Sequence, residues 1–164
     1  MILVYYNKNI YKERLSLRNP LHFLATGFGT GLISFIPGTI GSLSAIPLWW
    51  LMTFLSLKIY LLILLISVII GIYLCHRTSC DIGIHDHSSI VWDEFIGIWI
   101  TLMMIPCITW QWILLGFIIF RIIDCLKPWP ICWLDKNVSG GIGIMIDDII
   151  AGMIAAIIIY NLGK

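Results

Sequence analysis

The sequence predicts an all-α membrane protein, a compact bundle of about five transmembrane helices with a Gly-rich re-entrant or interfacial N-terminal segment. The first reason is composition: 60% of the 164 residues are hydrophobic, only 12% are charged, and the mean hydropathy is +0.98. A soluble domain is nearer half apolar and a quarter charged. One soluble core of this length cannot bury so much apolar surface, so the bilayer must act as solvent for much of the chain.

The second reason is a set of five apolar stretches, each about 17 to 19 residues long and therefore just long enough to cross a bilayer. The predicted helices run over about 39–57, 59–75, 89–105, 109–126 and 144–161. Residues 21–36 are broken by Gly and Pro, and this segment is expected to cross, re-enter or lie flat. No repeat or linker divides the chain. We therefore expect one domain over 1–164, with residues 1–20 as a cytoplasmic segment and 21–162 as the membrane bundle.

Basic residues orient these predicted spans. With a cytoplasmic N-terminus, the loops after the second and fourth helices also face the cytoplasm, and they hold most of the loop cations. Those loops contain His76, Arg77, Lys127 and Lys136. The N-terminal residues lack the apolar core and the small-residue cleavage site of a secretory signal peptide. The topology therefore predicts a multi-pass protein whose N-terminus lies in the cytoplasm.

This topology places every acidic residue on the cytoplasmic side. Five of the nine lie inside three predicted helices, roughly 3 to 8 Å below the helix ends. They are Asp93, Glu94, Asp124, Asp147 and Asp148. A carboxylate in the membrane costs about 2.5 to 3.5 kcal/mol and usually marks a functional site. Five at one depth repel one another unless cations lie between them or some are protonated. We predict that all five bind Mg²⁺, which prefers oxygen ligands.

A structural alternative exists for these carboxylates, since they could pair with Arg121 or Lys127. Arg121 and Asp124 are three residues apart on one helix, a spacing that allows an ion pair. Pairing is the simpler explanation for one acid near a helix end. Convergence of five acids from three helices favours a metal site, at which Asp93, Glu94, Asp124 and Asp148 would be catalytic.

Several polar residues near these acids are candidates for substrate binding or proton transfer. Lys127 and Arg121 could bind phosphate oxygens, although Lys127 could also reach the interface as a snorkelling cation. Thr39 or Ser42 could cap the helix that begins at PGTIGS and expose an anion-binding terminus, or this segment could be a bend for close helix packing. Weaker candidates are Asn137 for substrate and the loop histidines His85 and His87 as metal ligands or general acids, which could equally be solvated.

Absent features exclude other classes. The five cysteines are odd in number and form no C-x-x-C, which argues against a disulfide framework and a zinc site. No G-x-x-x-x-G-K-[ST] loop is present. A net charge of +1 without a basic, aromatic-rich face gives no reason to expect nucleic acid as a partner.

Three long motifs of mixed polarity carry a resemblance. From Asn19 onward the chain closely resembles the bacterial phosphatidylglycerophosphatase A family, in the blocks GFGTGLISFIPGTIGSL, IGIHDHSSIVWDEFIGIWITL and FRIIDCLKPWPICWLDKNVSGGIGIMIDDIIAG. The resemblance implies a Mg²⁺-dependent enzyme of the bacterial inner membrane, with its site facing the cytoplasm. Its implied reaction removes the terminal phosphate of phosphatidylglycerophosphate in the inner leaflet and leaves phosphatidylglycerol. The family's acidic motifs map onto the five acids named above, its loop pattern onto His85-Asp86-His87, and its K-P-W-P pattern onto Lys127.

Rival functions remain open at this point. A small cation carrier or channel also uses intramembrane carboxylates, although it would distribute them across the depth of the membrane. A lipid phosphotransferase would use an alcohol in place of water. A structural subunit would pair its acids with a partner's cations. The oligomeric state is not predicted.

Overall fold

The computed structural model describes residues 14–33 and 35–164, in which it contains seven α-helices and no β-strand. The helices are α1 (Pro20–Ala25), α2 (Pro37–Met52), α3 (Leu57–Ile82), α4 (Trp92–Leu102), α5 (Trp110–Leu126), α6 (Ile131–Asn137) and α7 (Gly140–Leu162). A 3₁₀ turn at Thr30–Leu32 follows α1. The all-α prediction is therefore confirmed. Most of the predicted cytoplasmic segment, residues 1–13, lies outside the described residues.

The predicted number of five spans is not confirmed. Within the described part of the chain, two helices are long and apolar enough to cross a membrane, α3 with 26 residues and α7 with 23. The other three predicted spans correspond to helices of 16, 11 and 17 residues. At 1.5 Å per residue, α4 is only about 17 Å long, against roughly 30 Å for the hydrocarbon core. The two long apolar helices are consistent with a membrane protein.

The short helix α4 lies at the centre of the bundle. All of its residues except Glu94 are buried, and it packs against α2, α3, α5 and α7. Trp99 in its middle donates its indole N–H to the Ala45 carbonyl of α2 at 3.0 Å. The same residue accepts the Tyr60 hydroxyl of α3 at its backbone carbonyl, at 2.6 Å. Its neighbours therefore surround α4 and fix its depth within the bundle.

The Gly-rich segment turns back on itself and does not cross the bundle. Residues 27–29 all have positive φ, with values of 56°, 60° and 89°. Gly27 and Gly29 adopt this conformation without steric cost, whereas Phe28 between them is a non-glycine residue in the same region. After this turn, the Ala25 carbonyl accepts the Val91 amide at 2.9 Å. A side chain at Gly31 would overlap the Ser89 carbonyl. These contacts hold 89–91 outside the helix, so α4 begins at Trp92 and not at the predicted residue 89.

Close glycine contacts bring α7 against α3 and α4. A Cβ on Gly141 would overlap the Ile72 carbonyl of α3. A Cβ on Gly152 would lie 2.6 Å from the Gly97 carbonyl of α4. Small residues at these crossings allow the helix backbones to touch. The acids of α7 consequently lie beside those of α4.

Candidate active site

A cavity of about 240 Å³ opens at one end of the bundle. Its walls come from the starts of α2 and α4, the end of α5, the first half of α7 and the loop before α4. All five carboxylates that the sequence singled out line it, together with the two candidate cations, namely Asp93, Glu94, Asp124, Asp147, Asp148, Arg121 and Lys127. The fold thus gathers side chains from three helices, up to 55 residues apart in the chain (93 to 148), around one small volume.

Three of these carboxylates form the tightest group. Asp93, Glu94 and Asp148 each offer an oxygen that lies within 4.8 Å of the oxygens offered by the other two. In the ranges 14–33 and 35–164, no other set of three His, Cys, Asp or Glu residues meets this spacing. Asp93 and Asp148 are only 6% and 3% exposed. Oxygens at this separation can converge on one cation with bonds of roughly 2.0 to 2.6 Å.

Some carboxylate oxygens at the site lack a hydrogen-bond partner in the described structure. Glu94 Oε2, Asp147 Oδ1 and Asp148 Oδ1 are all fully buried and unpartnered. Each such atom costs about 1 to 3 kcal/mol, and more if it is charged, so folded proteins retain few of them. A hard divalent cation satisfies carboxylate oxygens directly. The all-oxygen donor set and these orphaned atoms therefore fit Mg²⁺.

Arg121 stands between the three-carboxylate group and Asp124. Its Nη1 donates to Asp124 Oδ2 at 2.6 Å and lies 3.9 Å from Glu94 Oε1. It also donates to the Ser42 hydroxyl of α2 at 3.4 Å. Arg121 Nε, in contrast, is buried without a partner in the described residues. The ion pair that the sequence allowed does form, and it forms inside the cavity.

Lys127 ends α5 in a left-handed conformation, with φ 42°. Glycine is the usual residue at this helix-ending position because it lacks Cβ strain. The Lys127 ammonium donates to Asp135 Oδ1 and to Asp147 Oδ2, both at 2.7 Å. Partial burial lowers the pKa of Lys127, but these two hydrogen bonds outweigh it and hold the pKa above its usual range. Lys127 thus combines a strained backbone conformation with a charged ammonium group that lines the cavity.

The start of α2 differs from the predicted cap. Neither Thr39 nor Ser42 caps this helix, because the Ser42 hydroxyl donates to the Gly38 carbonyl inside the first turns, at 2.7 Å. Thr39 is half-buried and does not line the cavity. Gly38 does, and a Cβ there would overlap Glu94 Oε1 and lie 3.2 Å from Arg121 Nη1. The predicted alternative, a glycine bend for close packing, matches this geometry.

The loop histidines lie outside the cavity lining. His85 Nε2 accepts the Gly140 amide at 2.9 Å and so ties the loop to the start of α7. His87 Nδ1 accepts the Ser89 amide at 3.2 Å. Between them Asp86 has φ 50°, and this residue lines the cavity. The structure therefore brings the middle residue of the His-Asp-His sequence to the site and uses His85 to anchor the loop.

Sequence reasoning placed Asn137 at the site, named Asp86 only as part of the His85-Asp86-His87 loop pattern, and left out Asp135. Asn137 is exposed at the end of α6, where its amide donates to the Trp133 carbonyl. Asp135 reaches Lys127 because α6 folds back after α5. Asp tolerates the left-handed conformation better than most residues. This preference is the one feature of the sequence that could have indicated a turn at Asp86.

Comparison with known proteins assigns the family. The family model described as Phosphatidylglycerophosphatase A matches residues 23–162. "Phosphatidylglycerophosphatase A" of Escherichia coli (strain K12) is 59% identical over 157 residues, which are 96% of this chain and 91% of that protein. The Haemophilus influenzae protein of the same name is 48% identical over 149 residues, 90% of this chain and 91% of that protein.

A more distant relative has a different name. A Bacteroides thetaiotaomicron protein named "Putative phosphatidylinositol-3-phosphatase" is 35% identical over 143 residues, 83% of this chain and 89% of that protein. No solved structure matches the chain. The family match and the two high identities cover nearly the whole sequence, including every helix that lines the cavity. The chain belongs to the phosphatidylglycerophosphatase A family of phosphatases.

Proposed function

We propose that this chain is a Mg²⁺-dependent lipid phosphatase that hydrolyses phosphatidylglycerophosphate to phosphatidylglycerol and phosphate. The names of two close relatives support the substrate. The proposed metal dependence rests on one observation: Asp93, Glu94 and Asp148 form a group of carboxylates in which two side chains keep a buried oxygen without a hydrogen-bond partner. The positive-inside distribution of basic residues supports a site at the cytoplasmic leaflet of the inner membrane.

Asp93, Glu94 and Asp148 would hold the cation. A Mg²⁺ held by them would supply Lewis acidity for a phosphoryl oxygen and for an attacking water. Asp147 keeps one unpartnered oxygen while its other oxygen accepts from Lys127, so it stays a candidate ligand. Asp124 orients Arg121 through the 2.6 Å hydrogen bond. The loop histidines take no part in this proposal because neither lines the cavity.

Two cations are positioned to bind the phosphoryl group of the substrate. Arg121 and Lys127 both line the cavity, and carboxylates already orient both side chains. Donors that are fixed before the substrate arrives stabilise a transition state without further reorganisation. Arg121 Nε adds a buried donor that has no partner in the described residues. Phosphoryl transfer requires mainly this positioning and charge stabilisation from a protein.

The charge of the cavity makes the metal essential to the proposal. Six acidic side chains line it, including Asp86, against only two basic ones. A phosphate monoester carries about −1.5 to −2 at neutral pH. Like charges repel, and divalent cations bound to some of these carboxylates would remove the repulsion that such a substrate meets. An ion carrier is less favoured, since the pocket at the other end of α4 and α7 is lined almost wholly by apolar side chains.

Purified full-length protein is expected to release phosphate from phosphatidylglycerophosphate in mixed micelles with Mg²⁺ and to lose this activity in EDTA. Restoring Mg²⁺ should restore it. Parallel assays should contain phosphatidylinositol 3-phosphate and phosphatidic acid. Equal activity with EDTA and Mg²⁺ would contradict the metal site. Preference for the inositol lipid would contradict the proposed substrate, and an alcohol-dependent transfer of phosphate would indicate a phosphotransferase.

The Lys127→Met variant tests the proposed phosphate contact. It removes an ammonium that lines the cavity, and a hydrogen bond to a charged group contributes about 1.5 to 3 kcal/mol. We expect kcat/KM to fall roughly 10- to 100-fold, measured by phosphate release. Lys136→Met is the matched control because Lys136 is exposed on α6. Equal losses in the two variants would show that Lys127 acts only through the overall charge.

A further inference from the structure

An apolar ridge runs along the outside of α5 up to the cavity. Every fourth residue of the helix is apolar and exposed, in the series Trp110, Leu114, Ile118, Ile122 and Leu126. The ridge continues past the helix end to Trp129, which is 80% exposed. Lys127, which follows Leu126 directly, lines the cavity. The exposed apolar surface therefore reaches the polar site without a gap in the chain.

A second exposed apolar segment lies at the start of α2. Phe35 is 89% exposed, Ile36 follows it, and the next residue, Pro37, lines the cavity. Two residues span at most about 7 Å, so the Phe35 backbone lies close to the cavity wall. The start of α2 and the end of α5 border the same cavity, since Pro37 and Lys127 both line it. Both apolar segments therefore flank one region of the site.

We infer that these two segments form an acyl-chain rim, composed of Phe35, Ile36, Leu126 and Trp129, which binds the hydrocarbon chains of the phospholipid substrate. The substrate then reaches the cavity sideways from the bilayer, with its phosphate between Arg121 and Lys127. This inference rests on the proposed function and extends it from the headgroup to the chains.

The chemistry of the rim matches a phospholipid and not a water-soluble phosphate ester. A phospholipid joins an anionic group to long apolar chains, and the protein joins a cation-bearing cavity to exposed apolar side chains. Tryptophan is typical of the headgroup level of a membrane, which suits Trp129 beside the cavity. Contact with hydrocarbon is favourable in proportion to the apolar area removed from water. A deacylated headgroup would gain the contacts of the cavity alone.

The test compares one headgroup with and without its chains. Purified full-length protein is assayed with Mg²⁺ in the same detergent, on phosphatidylglycerophosphate and on its deacylated, water-soluble counterpart. The variants are Phe35→Ser, Leu126→Ser and Trp129→Ser, each changed singly at an exposed position outside the cavity lining. We expect the ratio of kcat/KM for the lipid to kcat/KM for the deacylated ester to fall at least about fivefold in each.

Trp110→Ser is the matched control. Trp110 is 69% exposed on the same ridge, but it lies at the opposite end of α5 from Lys127. The control is expected to keep the wild-type ratio. Unchanged activity on the deacylated ester in the rim variants shows that they are folded and that their catalytic groups are intact.

Three results would overturn the inference. The first is an equal loss on both substrates in variants whose melting temperature is that of the wild type. The second is a ratio in Trp110→Ser that falls as far as in the rim variants. The third is a change of oligomeric state in the rim variants, which would assign the rim to a second copy of the chain. If the wild type releases phosphate from neither substrate, the proposed function itself fails, whereas equal efficiency on both removes only the rim.

Discussion

Replacing Asp148 by Asn is expected to reduce phosphate release roughly 10²- to 10³-fold, the loss observed when one preorganised electrostatic contact to a transition state is removed. The same holds for Asp93→Asn and Glu94→Gln, because the three side chains form one oxygen group. An amide keeps the size of the side chain and one oxygen but loses the negative charge. Affinity for Mn²⁺, which can be titrated by electron paramagnetic resonance, should fall in parallel.

These variants should also have a stability signature that distinguishes a metal site from a structural ion pair. Without a cation, neighbouring buried carboxylates repel one another, so an amide at Asp148 should leave the melting temperature in EDTA unchanged or raise it. Asp81→Asn is the control, since Asp81 pairs with His22 at 3.0 Å outside the cavity. Full activity in Asp93→Asn, Glu94→Gln and Asp148→Asn would remove the proposed site, as would a large drop in melting temperature with unchanged Mn²⁺ affinity.

The Gly141→Ala variant is expected to have the largest effect on the folded protein. The added methyl would overlap the Ile72 backbone carbonyl, so α3 and α7 would have to separate. Gly152→Ala acts in the same way on α4, through the Gly97 carbonyl. Alanine favours a helix by up to about 1 kcal/mol over glycine, but overpacking typically costs about 1 to 3 kcal/mol and sometimes more. Melting temperatures in detergent should fall by several degrees, at roughly 2 to 4 °C per kcal/mol.

Gly116→Ala is the matched control for helix packing. Its added methyl would meet the end of the Leu102 side chain at 2.8 Å, and a flexible side chain can move where a backbone carbonyl cannot. We expect its melting temperature to lie near that of the wild type. Equal destabilisation by all three alanines would show that the helix crossings are not limited by backbone contact.

The convergence of carboxylates was predictable because it depends on helix ends and on orientation. Asp93, Asp124 and Asp148 all lie within four residues of the cytoplasmic ends of their predicted helices, and basic loop residues decide which ends share a side. All three line the cavity. The sequence could not predict which acids form the three-carboxylate group and which form ion pairs with Arg121 and Lys127. That outcome depends on how each helix is rotated and on close approaches such as that of Gly38 to Glu94.

Helix bounds were predicted less well where other parts of the chain compete with helix formation. Hydropathy alone extends the third predicted helix back to residue 89. In the structure, Val91 donates to Ala25 and Gly31 packs on Ser89, so the helix starts only at Trp92. These contacts join residues about 60 positions apart (31 to 89). Hydrophobic periodicity describes only local sequence and cannot predict such contacts.

The sequence named Asp86 only within the His-Asp-His loop pattern, because residue type alone does not show which of the three side chains the turn directs to the site. His-Asp-His suggests two imidazoles at a site, yet the positive φ of Asp86 directs the loop so that the aspartate lines the cavity. His85 instead binds the backbone of Gly140. One of the two partners of Lys127 was missed for a similar reason, because Asp135 approaches it only after α6 folds back.

The position of α7 in the chain affects how the enzyme is made. This helix supplies Asp147 and Asp148, and α3, α4, α5 and α6 all pack against it, yet it is the last helix of the fold. A nascent chain that has emerged only as far as α6 therefore carries Asp93 and Glu94 on α4 but lacks Asp148 and the helix that packs most extensively against α4. The group of Asp93, Glu94 and Asp148 can therefore form only once α7 has been synthesised and has packed against α4.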